Sequence, residues 1–94
     1  MNRTELIDGL ARHTGLSRTD AARAVEGLFD PRAGLIARAL RRRRTVRITG
    51  FGSFVPRRRE ARLGRNPRTG EPLRIPAGFS VVFRPGKPLR DTLG

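Results

Sequence analysis

Seven arginines, Arg57, Arg58, Arg59, Arg62, Arg65, Arg68 and Arg74, fall in a stretch that holds only two acids, Glu60 and Glu71. A guanidinium offers a planar fork of donors matched to phosphate oxygens, and it keeps its charge at any physiological pH. So many cations against so few acids point to a polyanion-binding surface rather than an ordinary solvated face. Pro67 stands among them, in the segment ARLGRNPRTGEPLRIPA (61–77). Taken alone, Asn66-Pro67-Arg68-Thr69-Gly70 is a turn, with Pro supplying its fixed φ. The same ring is rigid, apolar and without an N–H, so it could enter an apolar gap without stranding a donor.

Other chemistry is scarce. There is one histidine, His13, no cysteine, and no pair of carboxylates spaced to converge, so no catalytic constellation is legible and no metal or cofactor is expected. His13 lies near the end of a predicted helix, where it suits the dipole better than a role as base or ligand. Phe51, Phe54, Phe79 and Phe83 could stack on bases. Their inward phase on strands that need a core points to burial instead.

Net charge is +13 over 94 residues, and its distribution is uneven. Residues 1–40 carry six Arg against five acids, whereas residues 41–94 carry fourteen Arg and Lys87 against three. A nearly neutral part is therefore joined to a cationic one, for which DNA, RNA or an anionic membrane would be natural partners. No apolar run approaches a membrane span, and MNRTELIDGL is too polar for a signal-peptide core. A soluble intracellular protein with one domain over 1–94 is expected.

The elements that must position these residues follow from periodicity. Asn2 can cap a helix with Glu5 reaching back, Leu6, Ile7, Leu10 and Ala11 share one face, and Gly15 ends it. Ser17 starts a second helix with Ala21, Ala24, Val25 and Leu28 in phase. In FDPRAG (29–34), Asp30 precedes a proline, which disfavours helical angles. A break near residue 30 is predicted, followed by a helix with Asp30 as N-cap and Pro31 as first residue, running to about Arg42.

From Thr45 the apolar period changes to two. Val46 and Ile48 mark one strand and residues 53–59 a second. Residues 73–75 and 79–83 mark a returning strand interrupted near 76–78, and Pro88 can start a short final helix. The fold class is α+β: a helical hairpin, then a three-stranded antiparallel sheet. Between about residues 56 and 76 the only large apolar side chains are Leu63, Leu73 and Ile75, so that segment has no core of its own. It is either a disordered loop or a protruding two-stranded ribbon, and the turn signal at residues 66–70 favours the ribbon, with Pro67 at its tip. The remaining body is small enough that a partner subunit is expected to complete the core.

The strings NRTELIDGLARHTGLSRTDA, TGFGSF, GRNPRTGEPLRIPA and FRPGKPLRD, in that order along nearly the whole chain, resemble the HU/integration host factor family of bacterial histone-like proteins. The resemblance implies an intertwined homodimer with a helical dimerisation part (1–44) and a β-saddle (45–94) whose ribbon arms (about 56–76) embrace the DNA minor groove. It implies an intercalating wedge at Pro67. It also implies DNA contacts from Arg57, Arg58, Arg59, Arg62, Arg65, Asn66, Arg68 and Arg74 on the arm, and from Lys87 and Arg90 beside the saddle.

Two features depart from the family pattern. FDPRAG lengthens the helical region by about four residues and interrupts a helix that the family generally keeps continuous. Arg43 stands where the family usually has glycine. A left-handed residue is costly for arginine, so a different turn geometry is expected there.

The resemblance thus implies a non-sequence-specific protein that bends and compacts double-stranded DNA, prefers bent, nicked or junction DNA, and resides in the cytoplasm at the nucleoid. No membrane partner, small-molecule substrate or enzymatic activity is expected. A site-specific bender like integration host factor, and an RNA-binding or ribosome-associated protein, are the alternatives.

Overall fold

Asn2 Oδ1 accepts the Glu5 N–H at 2.8 Å and opens helix α1 (Arg3–Thr14). Gly15 closes it at φ 78°, donating its N–H to the Ala11 carbonyl. Ser17 Oγ then accepts the Asp20 N–H at 3.1 Å and starts α2 (Arg18–Phe29). The computed structural model describes residues 1–94 as two compact units, Met1–Arg42 and Arg43–Gly94. In the first, Ile7 of α1 and Ala21 and Val25 of α2 are buried, with Leu10, Ala11 and Ala22 packed around them. Ion pairs Arg3–Glu26 (2.8 Å) and Arg18–Asp8 (2.7 Å) join the same two helices. Both are exposed, and such pairs contribute about 1 kcal/mol at most.

The break at residue 30 is present, but the helix that follows starts later than the sequence suggested. Asp30 does act as a cap: its Oδ2 accepts the Arg32 N–H at 3.1 Å and the Ala33 N–H at 2.7 Å. These bonds, Ala33 foremost, hold its carboxyl below the usual carboxylate range. They close a single turn and no more, because Gly34 is extended (φ −68°, ψ 154°) and itself caps α3 (Leu35–Arg41). Gly34 is backed against that turn. A Cβ there would sit 2.7 Å from both the Asp30 nitrogen and oxygen, so only glycine fits without a shift.

Arg43 corrects a second expectation. Instead of adopting another geometry, it occupies the left-handed region at φ 61°, the only non-glycine residue to do so. Its guanidinium lies over the Phe79 ring, 3.6 Å from the centroid. That cation–π contact offsets part of the backbone cost.

In the second unit, β1 (Val46–Ile48), β2 (Gly52–Arg59) and β5 (Gly78–Pro85) form an antiparallel sheet in the order β1-β2-β5. β1 pairs only from Val46↔Phe54 to Ile48↔Gly52. Beyond it, β2 and β5 continue as a two-stranded ribbon to Arg59↔Gly78. After short interruptions, β3 (Arg62–Arg65) and β4 (Pro72–Ile75) pair to form the distal ribbon. Helix α4 (Lys87–Thr92) ends the fold with Pro88 in its first turn.

Register divides the sheet into two unlike faces. Val46, Phe54, Pro56, Phe79, Val81 and Phe83 share one of them. Phe83 is the hub, with ring centroids 5.0 Å from Phe54 and 5.8 Å from Phe51. Gly52 is buried beneath it, since a Cβ would come within 2.6 Å of Phe83 Cζ. The phenylalanines are nevertheless not buried within the chain: Phe51, Phe79 and Phe83 are 49%, 46% and 40% exposed. The inward phase was legible, but a three-stranded sheet with one helix after it has nothing of its own with which to cover this face.

Candidate nucleic-acid interface

The other face of the sheet is polar and cationic. The pairs Arg47↔Ser53 and Ser53↔Arg84 align three side chains in one row across β1, β2 and β5. A shallow groove of about 440 Å³ runs over this row, lined also by Thr45, Val55 and Gly86. Arg57 and Arg59 continue the same face up β2, by alternation from Ser53 and Val55. Arg59 lies across Gly78, where a Cβ would be 2.9 Å from its Nη2.

Arg58 is not brought into that row. Its cross-strand partner is Phe79, and it belongs with the apolar face. The other ribbon cations, Arg62, Arg65, Arg68 and Arg74, are exposed along β3, the tip and β4. Of the chain's ion pairs, Arg3–Glu26, Arg18–Asp8 and Lys87–Asp91, none involves a ribbon arginine. No ion pair therefore ties up these guanidinium groups, and the two ribbon acids, Glu60 and Glu71, offset only part of their charge.

At the tip, one side chain organises the turn. Asn66 Oδ1 accepts the Arg68 N–H at 2.9 Å, and the Asn66 carbonyl accepts the Gly70 N–H at 2.7 Å. Asn66 N–H donates to the Glu71 carbonyl at 2.9 Å, closing the loop onto the strands. Gly70, at φ 72°, supplies the left-handed residue that the reversal requires. Pro67 sits between these bonds and is exposed, its ring facing solvent at the far end of the ribbon.

Lys87 and Arg90 are exposed on α4. Lys87 Nζ donates to Asp91 Oδ2 at 2.8 Å, one turn along, and this surface pair can open to meet a competing anion. Arg47, Ser53 and Arg84 were not singled out from sequence as contacts. Their signal was present in the alternation itself, since each is out of phase with the apolar Val46, Phe54 and Phe83, but strand pairing had to place them in one row.

Comparison with known proteins identifies what this arrangement is similar to. The profile of the family described as bacterial DNA-binding protein matches residues 1–94. DNA-binding protein HU of Geobacillus stearothermophilus is 48% identical over 93 residues, spanning 99% of each chain. DNA-binding protein HU 1 of Bacillus subtilis is 45% identical over 93 residues, spanning 99% of this chain and 97% of its own. Among solved structures, HU of Anabaena in a cocrystal with DNA superposes with a TM-score of 0.85 at 34% identity, covering 100% of this chain and 98% of the other. A mutant HU of Thermotoga maritima gives a TM-score of 0.70 at 26% identity, with both chains fully covered.

Proposed function

The chain belongs to the family of bacterial DNA-binding proteins, and from that premise we propose that it is an HU-like homodimer that bends and compacts DNA without reading its sequence. The observation that carries this reading is the distal ribbon: exposed arginines without acidic partners lead to an exposed proline held at the tip by Asn66.

Arg57, Arg59, Arg62, Arg65, Arg68 and Arg74 neutralise phosphates on either side of the minor groove, and counterion release supplies most of the affinity. Asn66 holds the tip. Pro67 enters a base step and props it open, the mode of architectural minor-groove proteins, of which this family is a standard example. The minor groove separates little more than A·T from G·C, so these contacts carry little sequence information. Arg47, Ser53 and Arg84, with Lys87 and Arg90 beyond them, seat the phosphates of the duplex centre. Arg58 stands apart and is assigned to the edge of the apolar face.

A second copy of the chain covers the apolar sheet face and the exposed Leu28, Phe29 and Leu35 around the helical break. With Ile7, Ala21 and Val25 as its entire buried core, the chain has too little interior to stand alone. Association with the bacterial nucleoid, in the cytoplasm, follows from this function. No helix is long and apolar enough to cross a membrane.

Bending costs less where DNA is already nicked or branched, so such substrates bind more tightly. Gel shifts on linear, nicked and four-way-junction DNA at two salt concentrations test this. Nicked and junction DNA should bind about ten-fold more tightly than linear duplex, and all three should weaken with salt. Equal affinity for the three removes the deformation argument. A preference above about a hundred-fold for one selected sequence would instead indicate a site-specific bender. Tighter binding to double-stranded RNA than to nicked DNA would overturn the architectural role.

A further inference from the structure

We propose that the corner at residues 30–34 is a self-recognition element: this chain pairs with a copy carrying the same corner and rejects one, otherwise alike, whose helix runs straight through. The inference rests on the homodimer reading above and concerns which copy the apolar face accepts.

The corner is closed on itself. Asp30 donates its N–H to the Glu26 carbonyl at 3.0 Å, and Gly34 donates to the Asp30 carbonyl at 3.1 Å. Between them Arg32 and Ala33 donate to Asp30 Oδ2, and Pro31 has no N–H to place. Every backbone donor from Asp30 to Gly34 is therefore taken by the corner or by the helical turn before it. Gly34 is also buried against the Leu28 carbonyl, where a Cβ would come within 2.9 Å. A surface held in one shape discriminates between partners better than one that adapts.

Arg23, Glu26, Gly27 and Asp30 fall at helical spacing on one face of α2, and with Ala33 they line a charged groove of about 380 Å³. Away from that face, Val25 is buried, but Leu28 and Phe29 are 43% and 51% exposed. Leu35, where α3 resumes, is 62% exposed. The corner thus carries uncovered apolar side chains on a rigid frame.

Their order along the chain supplies the selectivity. Were Asp30 joined directly to Leu35, then Ile36, Ala39 and Leu40 would stand third, sixth and seventh after Phe29. That spacing continues the stripe of Val25, Leu28 and Phe29 along a single straight helix. Residues 31–34 displace the second half of the stripe, because α3 starts only after the extended Gly34. In a two-fold pairing each copy lays the same patch on the other. Two copies with the corner match, as do two straight helices. A mixed pair sets an interrupted stripe against a continuous one and leaves a large apolar side chain uncovered.

Native mass spectrometry of refolded mixtures tests the assignment. The unaltered chain is unfolded and refolded in equal mixture with a copy tagged at the exposed Met1, and separately with a copy lacking Pro31–Gly34. The tagged copy should enter mixed dimers at the statistical share. The deletion copy should dimerise with itself, and its mixed dimers should fall about ten-fold or more below that share, the scale of one large apolar side chain left uncovered. Gly34→Ala distorts the corner without shortening it and should deplete mixed dimers by about three-fold.

Mixed dimers of the deletion copy at the statistical share overturn the assignment. If that copy shows no melting transition of its own, Gly34→Ala decides, and its free mixing with the unaltered chain overturns the assignment equally. Free mixing of every copy leaves the homodimer standing without the selectivity. An unaltered chain found only at the monomer mass removes the homodimer reading, and the role of the corner falls with it.

Discussion

Replacing Pro67 by alanine separates its part in the turn from the wedge role proposed for it. In the tip, the chain reverses through bonds that Pro67 does not make: Arg68 N–H to Asn66 Oδ1 at 2.9 Å, Gly70 N–H to the Asn66 carbonyl at 2.7 Å, and Asn66 N–H to the Glu71 carbonyl at 2.9 Å. Alanine keeps all three. The stability loss is therefore the added freedom of the unfolded chain, about 0.4–1 kcal/mol, or a few degrees in Tm for a domain of this size. On DNA the proposed wedge role predicts a larger change. Holding a base step open costs a few kcal/mol, which a rigid ring inserted into the step offsets and a methyl group does not.

Pro67→Ala should thus retain its melting transition and its salt-dependent binding, while the bend it imposes relaxes. Energy transfer between dyes at the two ends of a short duplex, read at saturating protein, measures this directly. Efficiency should fall toward that of free DNA. Unchanged efficiency at saturation would refute the wedge, and the bend would then have to come from phosphate neutralisation alone. Asn66→Ala is the useful companion, because it loosens the tip but keeps the ring and should broaden the distribution of bends.

Three further outcomes follow from other parts of the molecule. Arg84→Ala, in the row with Arg47 and Ser53, should weaken binding to all sequences alike and lower the salt slope by about one in a binding titration; a loss limited to one sequence would mean base readout. Arg43→Ala keeps the left-handed backbone at φ 61° but loses the contact with Phe79, so it should destabilise by about 0.5–1 kcal/mol in a denaturant melt. Arg43→Gly relieves the backbone as well and should come out close to neutral. Asp30→Ala removes the cap on the helical break and should lower the melting temperature of the helical unit.

The same carboxylate gives a pH dependence of known sign. Its folded-state pKa is lowered by the Ala33 and Arg32 N–H groups, so its contribution is present in full above the ordinary carboxylate value and is lost as pH falls through the folded value. The stability gap between the unaltered chain and Asp30→Ala, measured by melting across acidic pH, should therefore close on acidification. A gap that widened would refute the capping account.

How much of this was legible in advance varies with the range of the interaction responsible. The caps at Asn2 and Ser17, the glycine at residue 15, the break at residue 30 and the turn at residues 66–70 all depend on neighbours within a few residues. They could be read directly. So could the coreless ribbon, since no packing partner could hide its arginines. The start of α3 was misplaced because Asp30 caps one turn, whereas the close approach of Gly34 to that turn decides where the helix resumes.

Arg43 shows the limit more sharply. Local propensity argued against a left-handed arginine, yet Phe79, far along the chain, supplies the contact that offsets the cost. Strand pairing likewise decided that Arg47 and Arg84 share a row with Ser53, that Arg58 stands opposite Phe79 on the apolar face, and that Leu63 pairs with Arg74. Sequence by itself determined the element types, the charge and the position of the proline, because composition and short-range periodicity set them. Only the tertiary structure decided which arginines share a face, because that depends on register between strands separated by the ribbon between them.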